Sequence, residues 1–181
     1  MASAQHFDHD ILIIGGGPSG STAAAYARKE GFSVCLVERE KFPRFHIGES
    51  LLPHGNDIMR ETGAWPKIEA AGFIKKFGAS FHLANGQASK EIIFSQGIVR
   101  GLDQTFQVGR AKFDNILLEH ARSLGTEIKQ PATVRAVTPI DGGLRVSIEH
   151  ADKSESNNRV RPGSSIQTLL GTYAACVAWR S

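Results

Sequence analysis

Cysteines and long apolar runs are scarce in this 181-residue sequence. Its two cysteines, Cys35 and Cys176, cannot build the disulfide framework of a small secreted protein, so the predicted location is the reducing cytoplasm. The apolar run at residues 11–14 is too short for the core of a signal peptide. The longest uncharged stretch, residues 162–179, is broken by serine, glutamine and threonine. We therefore expect neither a secretory signal nor a membrane span.

An excess of charge of one sign is also missing. Lysine and arginine number 21 against 18 acids, the net charge is +3, and both signs are interspersed over most of the chain. This balance requires neither nucleic acid nor a membrane surface as a partner. The seven histidines form no cluster with the cysteines, and the close pair His6 and His9 lies in a terminus predicted to be frayed, so no metal site is predicted.

A strand, a glycine-rich turn, a helix and a second strand open the chain. In order they are residues 11–14, Gly15-Gly16-Gly17-Pro18-Ser19-Gly20, residues 22–29 and residues 34–37. Gly15 permits the tight turn, Gly17 lets a pyrophosphate approach the backbone, and Gly20 lets the helix pack closely on the strand. Glu38 then stands at the spacing expected for a carboxylate that accepts ribose hydroxyls. The pattern predicts a dinucleotide site without distinguishing NAD from FAD, and a glycine-rich turn without a ligand is the alternative.

The rest of the chain alternates helices with antiparallel hairpins. Ser50 is predicted to cap a helix over residues 51–61, and Gly125 to end a second helix over residues 112–124. The predicted strands are residues 77–83 and 91–94 joined across Asn85-Gly86, residues 105–108, and residues 133–138 and 144–149 joined across Asp141-Gly142-Gly143.

Three separated segments share their pattern with one group of flavoenzymes. They are the glycine turn with Glu38-Arg39, the segment Phe42-Pro43-Arg44-Phe45-His46-Ile47-Gly48-Glu49-Ser50-Leu51-Leu52-Pro53, and the segment Phe106-Gln107-Val108-Gly109-Arg110-Ala111-Lys112-Phe113-Asp114. In this order they resemble the FAD-dependent monooxygenase superfamily, and more narrowly its branch of flavin-dependent halogenases and geranylgeranyl-reductase-like oxidoreductases. The resemblance implies a Rossmann-like, doubly wound α/β FAD-binding domain with an antiparallel β-layer over residues 8–150, predicted to be incomplete here.

The same resemblance implies which residues hold FAD. The glycine turn (Gly15, Gly17, Pro18, Ser19, Gly20) would hold the pyrophosphate, Glu38 the adenosine ribose, Arg39 and Arg44 the ADP half, Gly48 and Ser50 the isoalloxazine, Arg110 the ring-side and phosphate region, and Val134 the adenine. Some of these residues have simple structural alternatives. Arg44 could be a solvated surface cation, Ser50 a helix cap, and Arg110 a residue that merely precedes a helix.

One residue is singled out for chemistry. The segment at residues 73–81 resembles the part of halogenases that carries an essential lysine, with Lys76 in the matching position. The implied role is to hold or relay hypohalous acid, which suits an amine that donates hydrogen bonds and becomes nucleophilic when desolvated. The alternative is a lysine pair, Lys75 and Lys76, at a solvated sheet edge. The tryptophan-rich halogenase motif has no counterpart, since Trp65 and Trp179 stand alone.

The implied function is that of an FAD-dependent oxidoreductase of the halogenase or monooxygenase type, which transfers oxygen or halogen to a small organic substrate through a flavin hydroperoxide. The resemblance admits a carrier-bound substrate, with NAD(P)H or a partner flavin reductase as the electron source. The alternatives are a geranylgeranyl-reductase-like flavin reductase, a non-catalytic FAD-binding fragment and an NAD-dependent dehydrogenase.

Residues 151–181 form an atypical tail, polar at first and then uncharged, with no acidic residue after Glu155. Members of the family return at this point to the FAD sheet by a strand that leads into an Asp-x-x-Gly turn. No such sequence follows here, so the tail is predicted to be truncated or frame-shifted. A natural short variant with a different ending is the alternative.

Overall fold

The computed structural model describes residues 6–82, 90–98 and 101–161, and the backbone of residues 166–167 and 175–177. In chain order the strands are β1 (Ile11–Ile14), β2 (Val34–Val37), β3 (Ile74–Lys76), β4 (Gly78–Phe81), β5 (Lys90–Ile93), β6 (Thr105–Gln107), β7 (Glu127–Lys129), β8 (Ala132–Ile140), β9 (Gly143–His150), β10 (Glu155–Val160), β11 (Ile166–Gln167) and β12 (Ala175–Val177). The helices are α1 (Pro18–Lys29), α2 (His54–Thr62), α3 (Trp65–Ala70) and α4 (Arg110–Ser123), with a short 3₁₀ helix at Phe94–Gln96. The chain divides into a first unit, Met1–Arg44 with Asp114–Ser181, and a second unit, Phe45–Phe113.

A five-stranded sheet in the order β11-β12-β1-β2-β7 forms the centre of the first unit. Strands β1, β2 and β7 are parallel, and β12 is antiparallel to β1. Alternate side chains of a strand point to opposite faces, and on one face Val34 and Leu36 of β2 share a buried cluster with Ala24 of α1 and Leu118 of α4. The helices therefore cover one side of the parallel strands.

An antiparallel sheet in the order β10-β9-β8 covers the other side. Here Cys35 and Val37 of β2 share a second buried cluster with Val146 and Ile148 of β9 and Val160 of β10. The continuous apolar run of β2 is explained by this burial on both faces. The predicted α/β fold with an antiparallel β-layer is confirmed.

The second unit combines two short helices with two pairs of strands. Strand β3 pairs with β6 and β4 with β5, both antiparallel. Its core is aromatic: the ring centres of Trp65 and Phe106 lie 5.5 Å apart, and that of Phe73 lies 6.4 Å from Phe106. Among the described residues, no helix is both long and apolar enough to cross a membrane.

The start of α2 differs from the prediction. The helix begins at His54 with Pro53 at its N-cap, and Ser50 instead forms an antiparallel bridge with Gln107. Leu51 N donates a hydrogen bond to Phe106 O at 3.2 Å. Residues 50 and 51 therefore pair with a distant strand and do not form the helical turn that the local sequence predicts. The prediction that Ser50 caps a helix from residue 51 was wrong.

Five strands, β3, β7, β10, β11 and β12, were not predicted. The sequence of β10 is polar, and in its second half only Asn158 and Val160 are buried, yet β10 pairs with β9 from Glu155 to Val160. The predicted fraying at His9 was also wrong, since His9 forms a bridge with Val160. The predicted hairpin near residue 85 corresponds to β4 and β5, while Asn85-Gly86 lies outside the described residues.

Candidate functional site

The glycine turn of the first unit is shaped by close backbone contacts. Gly15 has φ 103°, a conformation that suits glycine, and its N–H donates to Val37 O at 2.8 Å. A Cβ on Gly20 would lie 1.9 Å from Gly15 O, so no other residue type fits there. Pro18 stands in the first turn of α1, and Gly17 at the N-cap offers no side-chain hydrogen bond to it. The start of α1 is thus built as a bare backbone surface, the arrangement that receives phosphate groups.

Glu38 is buried beside this turn, at the end of β2. Its Oε2 accepts a hydrogen bond from Gly16 N at 2.6 Å and its Oε1 accepts one from Glu40 N at 2.8 Å. A carboxylate has about four acceptor positions, so both oxygens retain capacity for ribose hydroxyls. The glycine turn and the predicted ribose ligand are brought together as the sequence spacing requires.

Arg44 supplies the positive charge at the same turn. A Cβ on Gly17 would lie 3.6 Å from Arg44 Nη2, so the guanidinium borders the start of α1. Arg44 Nε and Nη1 are buried and form ion pairs with Glu40 and Asp114, at 2.9 and 3.3 Å, that lack hydrogen-bond geometry. Arg44 is therefore not the solvated surface cation of the alternative, and the turn and its cation fit the pyrophosphate of FAD.

Two further predicted residues of the first unit lie near the end of β2. Arg39 follows Glu38 directly and is exposed. Val134 of β8 packs, partly buried, against the cluster that contains Ile148. Ala132 N donates to Glu38 O at 2.8 Å, which places the start of β8 beside the ribose candidate.

In the second unit, Arg110 fixes the turn at Gly48. Arg110 Nη1 donates to Ile47 O at 2.8 Å and to Gly48 O at 3.3 Å. Gly48 has φ 103°, and a Cβ there would lie 3.0 Å from the same nitrogen. Arg110 is the first residue of α4, but it also contacts Gly48, which is one of the predicted flavin contacts.

Lys76 and Ser50 are in direct contact. Lys76 Nζ donates to Ser50 Oγ at 2.6 Å and to Leu51 O at 3.2 Å. The ammonium also lies 5.3 Å from the centre of the Phe94 ring, within the range of a cation–π interaction. The amine is therefore held by specific partners rather than projecting from a solvated edge.

One group of possible metal ligands occurs among the described residues: His9, Cys35 and Glu127. Burial raises the pKa of the Cys35 thiol to about 12, so it stays protonated at neutral pH. Glu127 already binds His9 Nε2 at 2.9 Å through Oε2 and Lys129 Nζ at 3.4 Å through Oε1. Because the Lys129 ammonium neutralises the one carboxylate of the group, we assign no metal to it.

Sequence reasoning missed the groups that hold Arg44. Asp114, Glu40 and Phe42 surround its guanidinium in the structure. Asp114 belongs to the third flavoenzyme-like segment, but nothing in that segment indicates that it meets an arginine far earlier in the chain.

The chain is similar to FAD-dependent enzymes. The family model described as FAD binding domain matches residues 8–162. A 1H-pyrrole-2-carbonyl-(peptidyl-carrier protein) chlorinase of Pseudomonas fluorescens is 41% identical over 152 residues, covering 75% of this chain and 34% of the relative. The corresponding brominase of Pseudoalteromonas luteoviolacea is 39% identical over 151 residues, covering 83% of this chain and 35% of the relative.

The chain is also similar to solved structures of flavoproteins. A flavoprotein/dehydrogenase from Cytophaga hutchinsonii is 35% identical with a TM-score of 0.77, covering 83% of this chain and 37% of its own. A myxobacterial chondrochloren halogenase is 30% identical with a TM-score of 0.74, covering 82% of this chain and 34% of its own. The chain thus spans about a third of the length of these relatives. These findings confirm the predicted resemblance and FAD as the cofactor.

Proposed function

Because the chain belongs to the FAD-binding-domain family, we propose that it forms the FAD-binding part of an oxidoreductase of the flavin-dependent halogenase type. The observation that carries the proposal is the constellation in the first unit. A bare glycine turn, the buried Glu38 and the guanidinium of Arg44 lie around the start of one helix. When bound, FAD supplies the redox chemistry and the reaction with oxygen, and the protein supplies its placement.

Each part of this constellation has a role in holding the adenine half of FAD. Backbone N–H groups at the start of α1, including those of Ser19 and Gly20, bind the pyrophosphate with the helix dipole. Arg44 neutralises phosphate charge, and Glu38 accepts hydrogen bonds from the ribose. Arg39 and Val134 are further contacts of this half, next to Glu38 in the chain and in the fold.

The residues of the second unit are proposed to act at the flavin end. Arg110 holds the backbone at Gly48 and contacts FAD through its guanidinium. Gly48 and Ser50 lie near the isoalloxazine. Lys76 donates a hydrogen bond to the oxidised halogen and holds it for transfer. Its contacts with Ser50 and Leu51 support this role, because they fix the amine in one position.

The names of two relatives support a proposal for the substrate class. Two of them are named for chlorination and bromination of a pyrrole-carbonyl group on a peptidyl carrier protein. We propose an organic substrate carried in the same way, with electrons delivered to FAD from NAD(P)H or by a flavin reductase. Halogen transfer is the proposed reaction, and oxygen transfer is its alternative on the same site.

Lys76→Met tests the catalytic part of the proposal. The variant keeps an unbranched side chain and removes the amine. In a full-length enzyme that contains this chain, assayed with reduced FAD, oxygen, chloride or bromide and the carrier-bound pyrrole, we expect halogenated product to fall at least about a hundredfold. FAD affinity and flavin reoxidation should stay unchanged. Lys75→Met is the matched control and should keep activity. A parent protein that never halogenates would refute halogenation, and equal losses in both variants would refute the role of Lys76.

A flavin-dependent dehydrogenase or reductase is the second candidate. The similarity to the Cytophaga hutchinsonii flavoprotein/dehydrogenase favours it. This activity would reduce an organic double bond at the expense of reduced flavin, without halide. Anaerobic oxidation of reduced FAD by an isoprenoid substrate would support it, and halide-dependent product formed only with oxygen would exclude it.

A further inference from the structure

Arg44 lies between two acids and the glycine turn of the first unit. Its Nε is 2.9 Å from Glu40 Oε2, and its Nη1 is 3.3 Å from Asp114 Oδ2. Its Cζ lies 4.6 Å from the centre of the Phe42 ring. These contacts fix three sides of the guanidinium. The remaining nitrogen, Nη2, lies next to Gly17.

The two acids differ in their surroundings. The side chain of Glu40 is 50% exposed, so water and salt screen its attraction for Arg44. The side chain of Asp114 is 0% exposed. A carboxylate without water is unfavourable unless a cation balances it, and its attraction for that cation is only weakly screened. Asp114 is therefore the contact that determines where the guanidinium stands.

We propose that Asp114 is a positioning residue for FAD, which holds Arg44 against the glycine turn so that the Nη2 edge meets the pyrophosphate. The inference rests on the proposed function. An arginine side chain loses rotamer freedom when it binds a ligand, and a guanidinium already fixed in its bound position loses less. Asp114 thus raises FAD affinity without touching FAD.

A double-mutant cycle tests this role. FAD binding is titrated by flavin fluorescence for the parent, Asp114→Asn, Arg44→Ala and the double variant, with folding checked by circular dichroism. We expect Asp114→Asn to weaken FAD about tenfold and Arg44→Ala about thirtyfold. The double variant should bind no more weakly than Arg44→Ala alone, because Asp114 acts only through Arg44. Asp57→Asn is the matched control, since Asp57 pairs with Arg60 at 2.7 Å on the surface.

The outcomes separate the two proposals. A parent that does not bind FAD refutes the proposed function itself. Parent-like affinity of Asp114→Asn, or losses that add in full in the double variant, refute the positioning role while FAD binding stands. If Asp114→Asn does not fold, the cycle is repeated with Asp114→Glu, which keeps the buried charge but displaces it by one methylene. Asp114→Glu should then weaken FAD binding in the parent but have no effect on FAD affinity when Arg44 is already alanine. Parent-like FAD affinity of Asp114→Glu would again refute the positioning role.

Discussion

Gly17 and Gly20 belong to one turn but have different reasons to be glycine. A Cβ on Gly20 would collide with Gly15 O at 1.9 Å, whereas a Cβ on Gly17 would rest 3.6 Å from Arg44 Nη2, an ordinary contact. We expect Gly20→Ala to lower the free energy of unfolding by about 1–3 kcal/mol or more, and Gly17→Ala by less than about 1 kcal/mol. Urea unfolding of the protein without FAD checks both. Equal losses would mean that the backbone contact at Gly20 is not as described.

Cys35 gives a prediction of pH dependence. Its pKa is raised by burial to about 12, well above that of an unfolded chain, near 8.5. The raised folded pKa contributes stability that is fully present below the unfolded pKa. Between about pH 9 and pH 12 the unfolded chain loses the proton first, so the free energy of unfolding falls as pH rises. Cys35→Ala should flatten this part of the pH profile relative to the parent.

The reactivity of the same thiol provides an independent check. In a Cys176→Ser background, Cys35 should react with a thiol reagent at neutral pH only after unfolding, because the thiolate is the reactive form. Fast labelling of the folded protein would contradict the described burial.

At the scale of the elements, the antiparallel layer is attached to the parallel sheet by apolar packing. Ile148 of β9 is fully buried, at 0% exposure, in the cluster it shares with Cys35 and Val37. Ile148→Ala should lower the free energy of unfolding by about 2–5 kcal/mol, since it removes buried methyl groups and leaves a cavity. Ile98→Ala is the control at a position that is 103% exposed, with an expected change of less than about 0.5 kcal/mol. A loss below about 1 kcal/mol for Ile148→Ala would mean that the layers are not packed as described.

The elements that sequence predicted are those encoded locally. The β1–α1–β2 unit follows from apolar runs, glycine spacing and Pro18, all within adjacent residues. Strand β10 and the start of α2 depend on distant partners instead. The polar side chains of β10 show no strand pattern until they are paired with β9, and Leu51 leaves the predicted helix because it bonds to Phe106.

The same distinction applies to the candidate site. The glycine turn and Glu38 were predicted because their roles depend on spacing along one βαβ unit. The ion pair of Asp114 with Arg44 could not be predicted, because it joins residues that only the tertiary fold brings together. The Lys76–Ser50 contact is of the same kind, and without coordinates only the resemblance indicated the two residues separately.

At the scale of the whole molecule, FAD binding and folding are linked. A ligand that binds only the folded protein raises the free energy of unfolding by about 2.7 kcal/mol when its concentration is a hundred times Kd. FAD stabilisation therefore provides one measurement for each of the proposed FAD contacts, Glu38, Arg44 and Arg110. It requires no catalytic activity.

Gly17→Val and Arg110→Ala should therefore reduce this stabilisation to different extents. In Gly17→Val the side chain occupies the space that the pyrophosphate needs, so FAD should no longer raise the unfolding midpoint. In Arg110→Ala the loss of a charged hydrogen bond should weaken FAD by about 1.5–3 kcal/mol, leaving a smaller shift. Urea unfolding with and without saturating FAD measures both.

Arg110 also anchors Ile47 O and Gly48 O, so Arg110→Ala can lower stability without FAD as well. If the variant loses that stability but gains as much as the parent from FAD, Arg110 supports the turn at Gly48 and does not contact the cofactor.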